Sequence, residues 1–136
     1  TERSPFATPG VRIGLSCSTP MVALSRSVGR KRALQMLLTG DPVDAATAAD
    51  WGLVNSVVAP DALVPHVDDL ASQLRRFSPH TLGLGKRAFY EQIEMTESAA
   101  YDHTRQVMSA NAADRVAAEG ISAFLHKRDP HWPVEP

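Results

Sequence analysis

The chain has 136 residues, 43% of them hydrophobic and 21% charged, with a formal net charge of -1 and one cysteine, Cys17. A chain of this size buries roughly 65–70% of its unfolded surface and needs no disulfide or metal staple. Near-neutral charge argues against a nucleic-acid partner, and no apolar run approaches the roughly 20 residues of a membrane span, so neither nucleic acid nor membrane is expected. A lone thiol and no leader suggest a reducing interior, most simply the cytoplasm.

In chain order, Phe6-Ala7-Thr8 reads as a short extended piece before Pro9-Gly10 and an apolar Val11 to Leu15. A lone strand cannot complete its own ladder, and no sheet neighbour is visible in the chain. Thr19-Pro20 predicts an N-cap and first-turn proline for a helix over Met21 to Val28. Gly29 separates it from a second helix over Lys31 to Leu38, which Gly40 ends in a left-handed stop. Asp44 is placed to cap Ala45 to Trp51, and Gly52 ends that helix. Leu53 to Val58, partly β-branched between Gly52 and Pro60, predicts a strand. Leu63, Val67, Leu70, Ala71 and Leu74 share one helical face, with Pro65 in the first turn where a missing N–H matters least. Ser78-Pro79 opens a helix to about Ile93, and Thr96 caps the next. Asn111 with Asp114, a capping-box variant, opens the last helix, where Val116, Gly120-Ile121 and Phe124-Leu125 recur at four-residue steps.

The segments Leu37-Leu38-Thr39-Gly40-Asp41-Pro42-Val43-Asp44-Ala45-Ala46, Gly52-Leu53-Val54 and Glu119 to Pro130 stand in an order and spacing that resembles the C-terminal half of the enoyl-CoA hydratase/isomerase (crotonase) family. The resemblance implies an α/β protein of the ClpP/crotonase-like spiral fold, of which this chain is the mostly helical C-terminal half plus a strand-bearing stub. Residues 1–18 would end the spiral core, and residues 19–136 would form a helical region for trimerisation and CoA contact. An acyl- or enoyl-CoA thioester is then the substrate, with no permanently bound cofactor. The implied partners are the missing N-terminal half, which holds the oxyanion-hole donors, and further copies in a homotrimer or dimer of trimers.

Addition of water to an enoyl thioester needs a base on one atom and an acid on the other, and family hydratases use two glutamates. One belongs to the missing half. The position of the other matches Gly10 in Phe6-Ala7-Thr8-Pro9-Gly10, so this chain is expected to supply no catalytic side chain and to be inactive alone. Thr8-Pro9-Gly10-Val11 and Cys17-Ser18-Thr19-Pro20 resemble one branch of the family that also lacks the second glutamate. Ser18 and Thr19, near Gly10 in sequence, could position a water; the plainer reading makes them caps. Phe124 and Lys127 match the family's CoA-contacting positions, an aromatic face suiting adenine and an ammonium suiting phosphate. Three-residue helical spacing would let both address one ligand; otherwise Phe124 is core and Lys127 solvated.

Other features point away from chemistry. Cys17 has no local support as a nucleophile beside His66, His80 or His103. Leu82-Gly83-Leu84-Gly85-Lys86 lacks the interior of a phosphate loop, so its glycines are expected to permit close helix packing. His126 and His131 lack zinc spacing, and no metal is expected. Trp51 and Trp132 read as packing residues. A rival to the enzyme reading is a catalytically silent CoA-binding or assembly subunit. A purely helical interaction module would require disorder before Leu15.

Overall fold

The computed structural model describes residues 1–133. Contacts divide the chain into two compact units, Thr1–Asp68 and Asp69–Pro136.

In the first unit a 3₁₀ turn, Pro9–Ile13, leads to helices α1 (Ser18–Ser27), α2 (Arg30–Thr39) and α3 (Ala45–Asp50). Leu24, Val28, Ala33, Met36 and Leu37 form its buried core, and Phe6, Cys17, Val43, Trp51 and Leu53 pack against it. Two observations tie the opening segment to that core. Phe6 and Val43 exchange backbone hydrogen bonds of 2.9 and 2.8 Å in an antiparallel bridge. The buried Thr8 hydroxyl donates to the Met36 carbonyl at 2.9 Å. Gly40 ends α2 at φ 66°, and a Cβ there would lie 3.1 Å from Val11 Cγ1 and 3.3 Å from Pro9 Cα, so both conformation and space call for glycine. Asp44 caps α3 by accepting the Thr47 N–H at 2.7 Å.

A second 3₁₀ turn, Pro60–Ala62, leads into α4 (Leu63–Arg75), which runs through the division between the units. The second unit continues with α5 (Pro79–Gln92), α6 (Glu97–Ala112) and α7 (Arg115–Leu125). Ser78, 2% exposed, caps α5 by accepting the Thr81 N–H at 3.3 Å, and Pro79 takes the first helical position. Ala88, Val116 and Ala123 are the buried apolar residues here.

Several expectations change. The α/β class is visible only as helices plus one isolated bridge among the described residues. Leu53 to Val58 is bends and irregular chain, because β-branched character does not supply a pairing partner; at its end the Glu2 N–H donates to the Val58 carbonyl at 3.1 Å. The apolar Val11 to Ile13 belongs to the first 3₁₀ turn. The N-cap of α1 is Cys17 rather than Thr19, which leaves Pro20 still within the first turn. Thr96 stands at the N-cap of α6 without a capping side-chain bond. Asp114, not Asn111, caps α7, accepting the Val116 N–H at 2.9 Å, while Asn111 lies inside α6.

Candidate functional site

Two places gather the residues singled out from sequence, one in each unit. In the first unit Gly10 lies within the Pro9–Ile13 turn, whose backbone folds back so that Leu15 N–H donates to the Gly10 carbonyl at 2.9 Å. A Cβ built on Gly10 would stand 2.7 Å from Cys17 Sγ and 2.8 Å from the Leu15 carbonyl oxygen. The space a side chain would leave by is thus occupied by a sulfur and a carbonyl. Ser18 and Thr19 are exposed in the first turn of α1. The Ser18 hydroxyl meets the Ser16 hydroxyl at 3.1 Å, a local contact.

In the second unit Phe124, 82% exposed, sits in the last turn of α7, and Lys127 follows the helix end at φ 52°. Lys127 is the only non-glycine residue with positive φ among the described residues. Its N–H donates to the Phe124 carbonyl at 3.2 Å and the Arg128 N–H to the Ala123 carbonyl at 3.1 Å. This pair of bonds is a Schellman stop with lysine in the position glycine usually takes. A left-handed lysine costs about 1–2 kcal/mol relative to a glycine. Because α7 ends at Leu125, helical spacing does not relate Phe124 to Lys127; the helix stop does.

The chain after this stop is tied back onto α7. The Glu119 carboxylate accepts two bonds from the Arg128 guanidinium, at 2.6 and 2.8 Å, and the His131 N–H at 2.7 Å. The Arg128 bonds first, then the His131 bond, hold the Glu119 carboxyl down at about 2 against an ordinary 4.5, and the Arg128 guanidinium is pushed up by the same contact. Trp132 donates its indole N–H to the Arg76 carbonyl at 2.9 Å and lays its ring 3.4 Å from where a Cβ on Gly120 would be. Sequence reasoning took Trp132 as packing and missed Glu119 and Arg128, whose nine-residue separation matches no helical repeat.

A further apolar groove of about 560 Å³ lies between α5 and α6, lined by Leu84, Ala88, Tyr101, Thr104 and Met108 among others. None of the residues singled out as catalytic or CoA-contacting lines it. Gly83 and Gly85 have nothing within 4 Å of a built Cβ, so they do not serve close packing in this structure. Among the described residues there is no cluster of three or more potential metal ligands, and no helix is long and apolar enough to cross a membrane.

The chain belongs to the enoyl-CoA hydratase/isomerase family, whose sequence model matches residues 1–135. It is 46% identical over 136 residues to human mitochondrial enoyl-CoA hydratase domain-containing protein 3, covering all of this chain and 45% of that protein. It is 35% identical over 132 residues to the 2,3-dehydroadipyl-CoA hydratase of Escherichia coli K12, covering 96% of this chain and 52% of that one. Among solved structures, an enoyl-CoA hydratase of Mycobacterium smegmatis superposes with a TM-score of 0.94 at 46% identity, covering 96% of this chain and 51% of the other. The human domain-containing protein 3 superposes at 0.93 with the same identity, covering 96% and 52%. The chain therefore spans about half the length of the relatives it matches, and the resemblance read from Thr8-Pro9-Gly10-Val11 and Cys17-Ser18-Thr19-Pro20 falls on the domain-containing protein 3 branch.

The cytoplasmic expectation does not stand, because the domain-containing protein 3 relatives of several vertebrates are mitochondrial by name. A free thiol separates reducing from oxidising surroundings and cannot choose among reducing compartments.

Proposed function

We propose that the chain is the CoA-contacting, assembly-forming portion of an enzyme acting on acyl- or enoyl-CoA thioesters, and that this enzyme does not hydrate by the two-glutamate route. The observation that carries the second clause is the closure of Leu15 O and Cys17 Sγ over Gly10. In this reading Gly10 stands where the second glutamate of the family's hydratases would be, and it can neither donate nor accept a proton. Losing one positioned acid or base removes about 10²–10⁴ in rate. A one-base reaction, double-bond isomerisation or a specialised lyase step, remains open to a site of this composition. The oxyanion-hole donors, each typically worth about 3–4 kcal/mol, come from the portion outside residues 1–136, so this chain alone is inactive.

Phe124 and Lys127 meet the nucleotide end of CoA, the aromatic face on adenine and the ammonium on phosphate. Their exposure and the fixed backbone between them support this. Ser18 and Thr19 stand on the chain leaving the Gly10 turn, exposed and able to hold a water for the reacting carbons. Residues 1–18 then close the catalytic core, and residues 19–136 supply the CoA contact and the surfaces of a trimer or dimer of trimers.

Steady-state assays of the full-length protein on crotonyl-CoA and on a 3-enoyl-CoA test the reading. Isomerisation with hydration at least a hundredfold weaker is expected, and efficient hydration of crotonyl-CoA would overturn it. The closed Gly10 turn also favours a second reading, a silent CoA-binding subunit. Tight calorimetric binding of acyl-CoA with no turnover of any thioester tried would select it.

A further inference from the structure

We infer that Glu119 and Arg128 are positioning residues for Lys127, clamping the end of α7 so that the ammonium points to one place. The inference rests on the reading that Lys127 meets a phosphate of CoA. Lysine is intrinsically disfavoured in the left-handed region, so φ 52° persists only where the surroundings over-determine it. Immediately after Lys127, the Arg128 guanidinium grips Glu119 with two bonds, and the same carboxylate takes the His131 N–H. Trp132 then closes over Gly120 and bonds the Arg76 carbonyl.

The clamp also sorts the neighbouring cations. Arg128 is occupied by Glu119, and the His126 ring meets the Ser122 carbonyl at 2.8 Å. Lys127 makes no ion pair among the described residues and stays exposed. The clamp opposes continuation of α7 through Lys127, and each added helical residue would turn the side-chain direction by about 100°. The ammonium would leave the anion while Phe124, one turn earlier, stayed in place. Glu119 and Arg128 touch no ligand themselves; they act through the backbone of residue 127.

The test is a double-mutant cycle in the full-length protein, read as the calorimetric Kd for coenzyme A. Lys127→Ala and Glu119→Gln should each weaken binding by about tenfold or more, as loss of one charge-assisted contact does. The double variant E119Q/K127A should bind no more weakly than K127A alone, because the clamp has nothing left to position. Arg128→Lys, which keeps the charge and loses the two-bond grip, should weaken binding as E119Q does and serves if E119Q fails to fold. Equal weakening by E119Q in the wild-type and K127A backgrounds would mark a merely structural role and overturn the inference, as would an unchanged Kd for E119Q and R128K while K127A weakens. An unchanged Kd for K127A itself would instead overturn the underlying reading that Lys127 holds CoA, and the positioning role with it.

Discussion

Gly10→Ala is the smallest change that probes the turn on which the chemistry depends. The added methyl would begin 2.7 Å from Cys17 Sγ and 2.8 Å from the Leu15 carbonyl oxygen. The thiol sits at the end of a side chain and can rotate. The carbonyl belongs to the backbone, and moving it strains the 2.9 Å bond from Leu15 N–H to the Gly10 carbonyl. Overpacking of this kind costs about 1–3 kcal/mol. Loss of one backbone hydrogen bond adds about 0.5–1.5 kcal/mol net, so we expect destabilisation of about 2–4 kcal/mol. Urea unfolding followed by circular dichroism measures it. Cys17→Ala in the Gly10→Ala background should recover less than half, since the Leu15 contact remains. Gly10→Glu should suffer at least as much and should not gain hydratase activity, because its carboxylate cannot leave the turn in a productive direction. A Gly10→Ala variant within about 0.5 kcal/mol of wild type, or a Gly10→Glu variant that hydrates crotonyl-CoA 10²-fold or more faster, would refute the reasoning.

Three further outcomes follow from the second unit. Lys127→Gly should relieve the left-handed residue and raise stability by about 1 kcal/mol while weakening CoA binding, a divergence that thermal melting and calorimetry together would expose. Gly83→Ala, with open space around its Cβ, should stabilise α5 by up to about 1 kcal/mol in thermal melts of the isolated chain. The clamp should respond to acid in a definite direction. Glu119 titrates at about 2 rather than at 4.5, so its stabilising contribution is full above pH 4.5 and is lost as pH falls toward about 2. Trp132 fluorescence in a Trp51→Phe background should report undocking over that window, and Glu119→Gln should abolish the acid dependence.

The parts of the fold that were legible are those whose determinants are local. Gly40, Asp44 and Ser78-Pro79 each sit where a stop, a cap or a first-turn proline does a job that neighbouring residues reveal, and the structure uses them so. What was missed depends on partners distant in sequence. Leu53 to Val58 has strand-like residues, yet a strand exists only beside another, and among the described residues nothing pairs along it. The Phe124 to Lys127 spacing looks helical until the Schellman stop is seen, and lysine in the usual glycine position gives no signal for it. Glu119 and Arg128 find each other only because the chain reverses after α7. Gly10 could be read as a missing carboxylate, whereas its closure by Leu15 and Cys17 depends on how the turn folds back. Asp114 was noticed but placed three residues into the cap rather than at it, since Asn111 has equal capping chemistry and only the end of α6 decides between them.

The position of the nucleotide of a bound CoA thioester is the central question. A crystal structure of the full-length protein with crotonyl-CoA decides it most directly: the adenine should rest on Phe124 with a phosphate within hydrogen-bonding distance of Lys127 Nζ. A nucleotide bound away from both residues would contradict that placement.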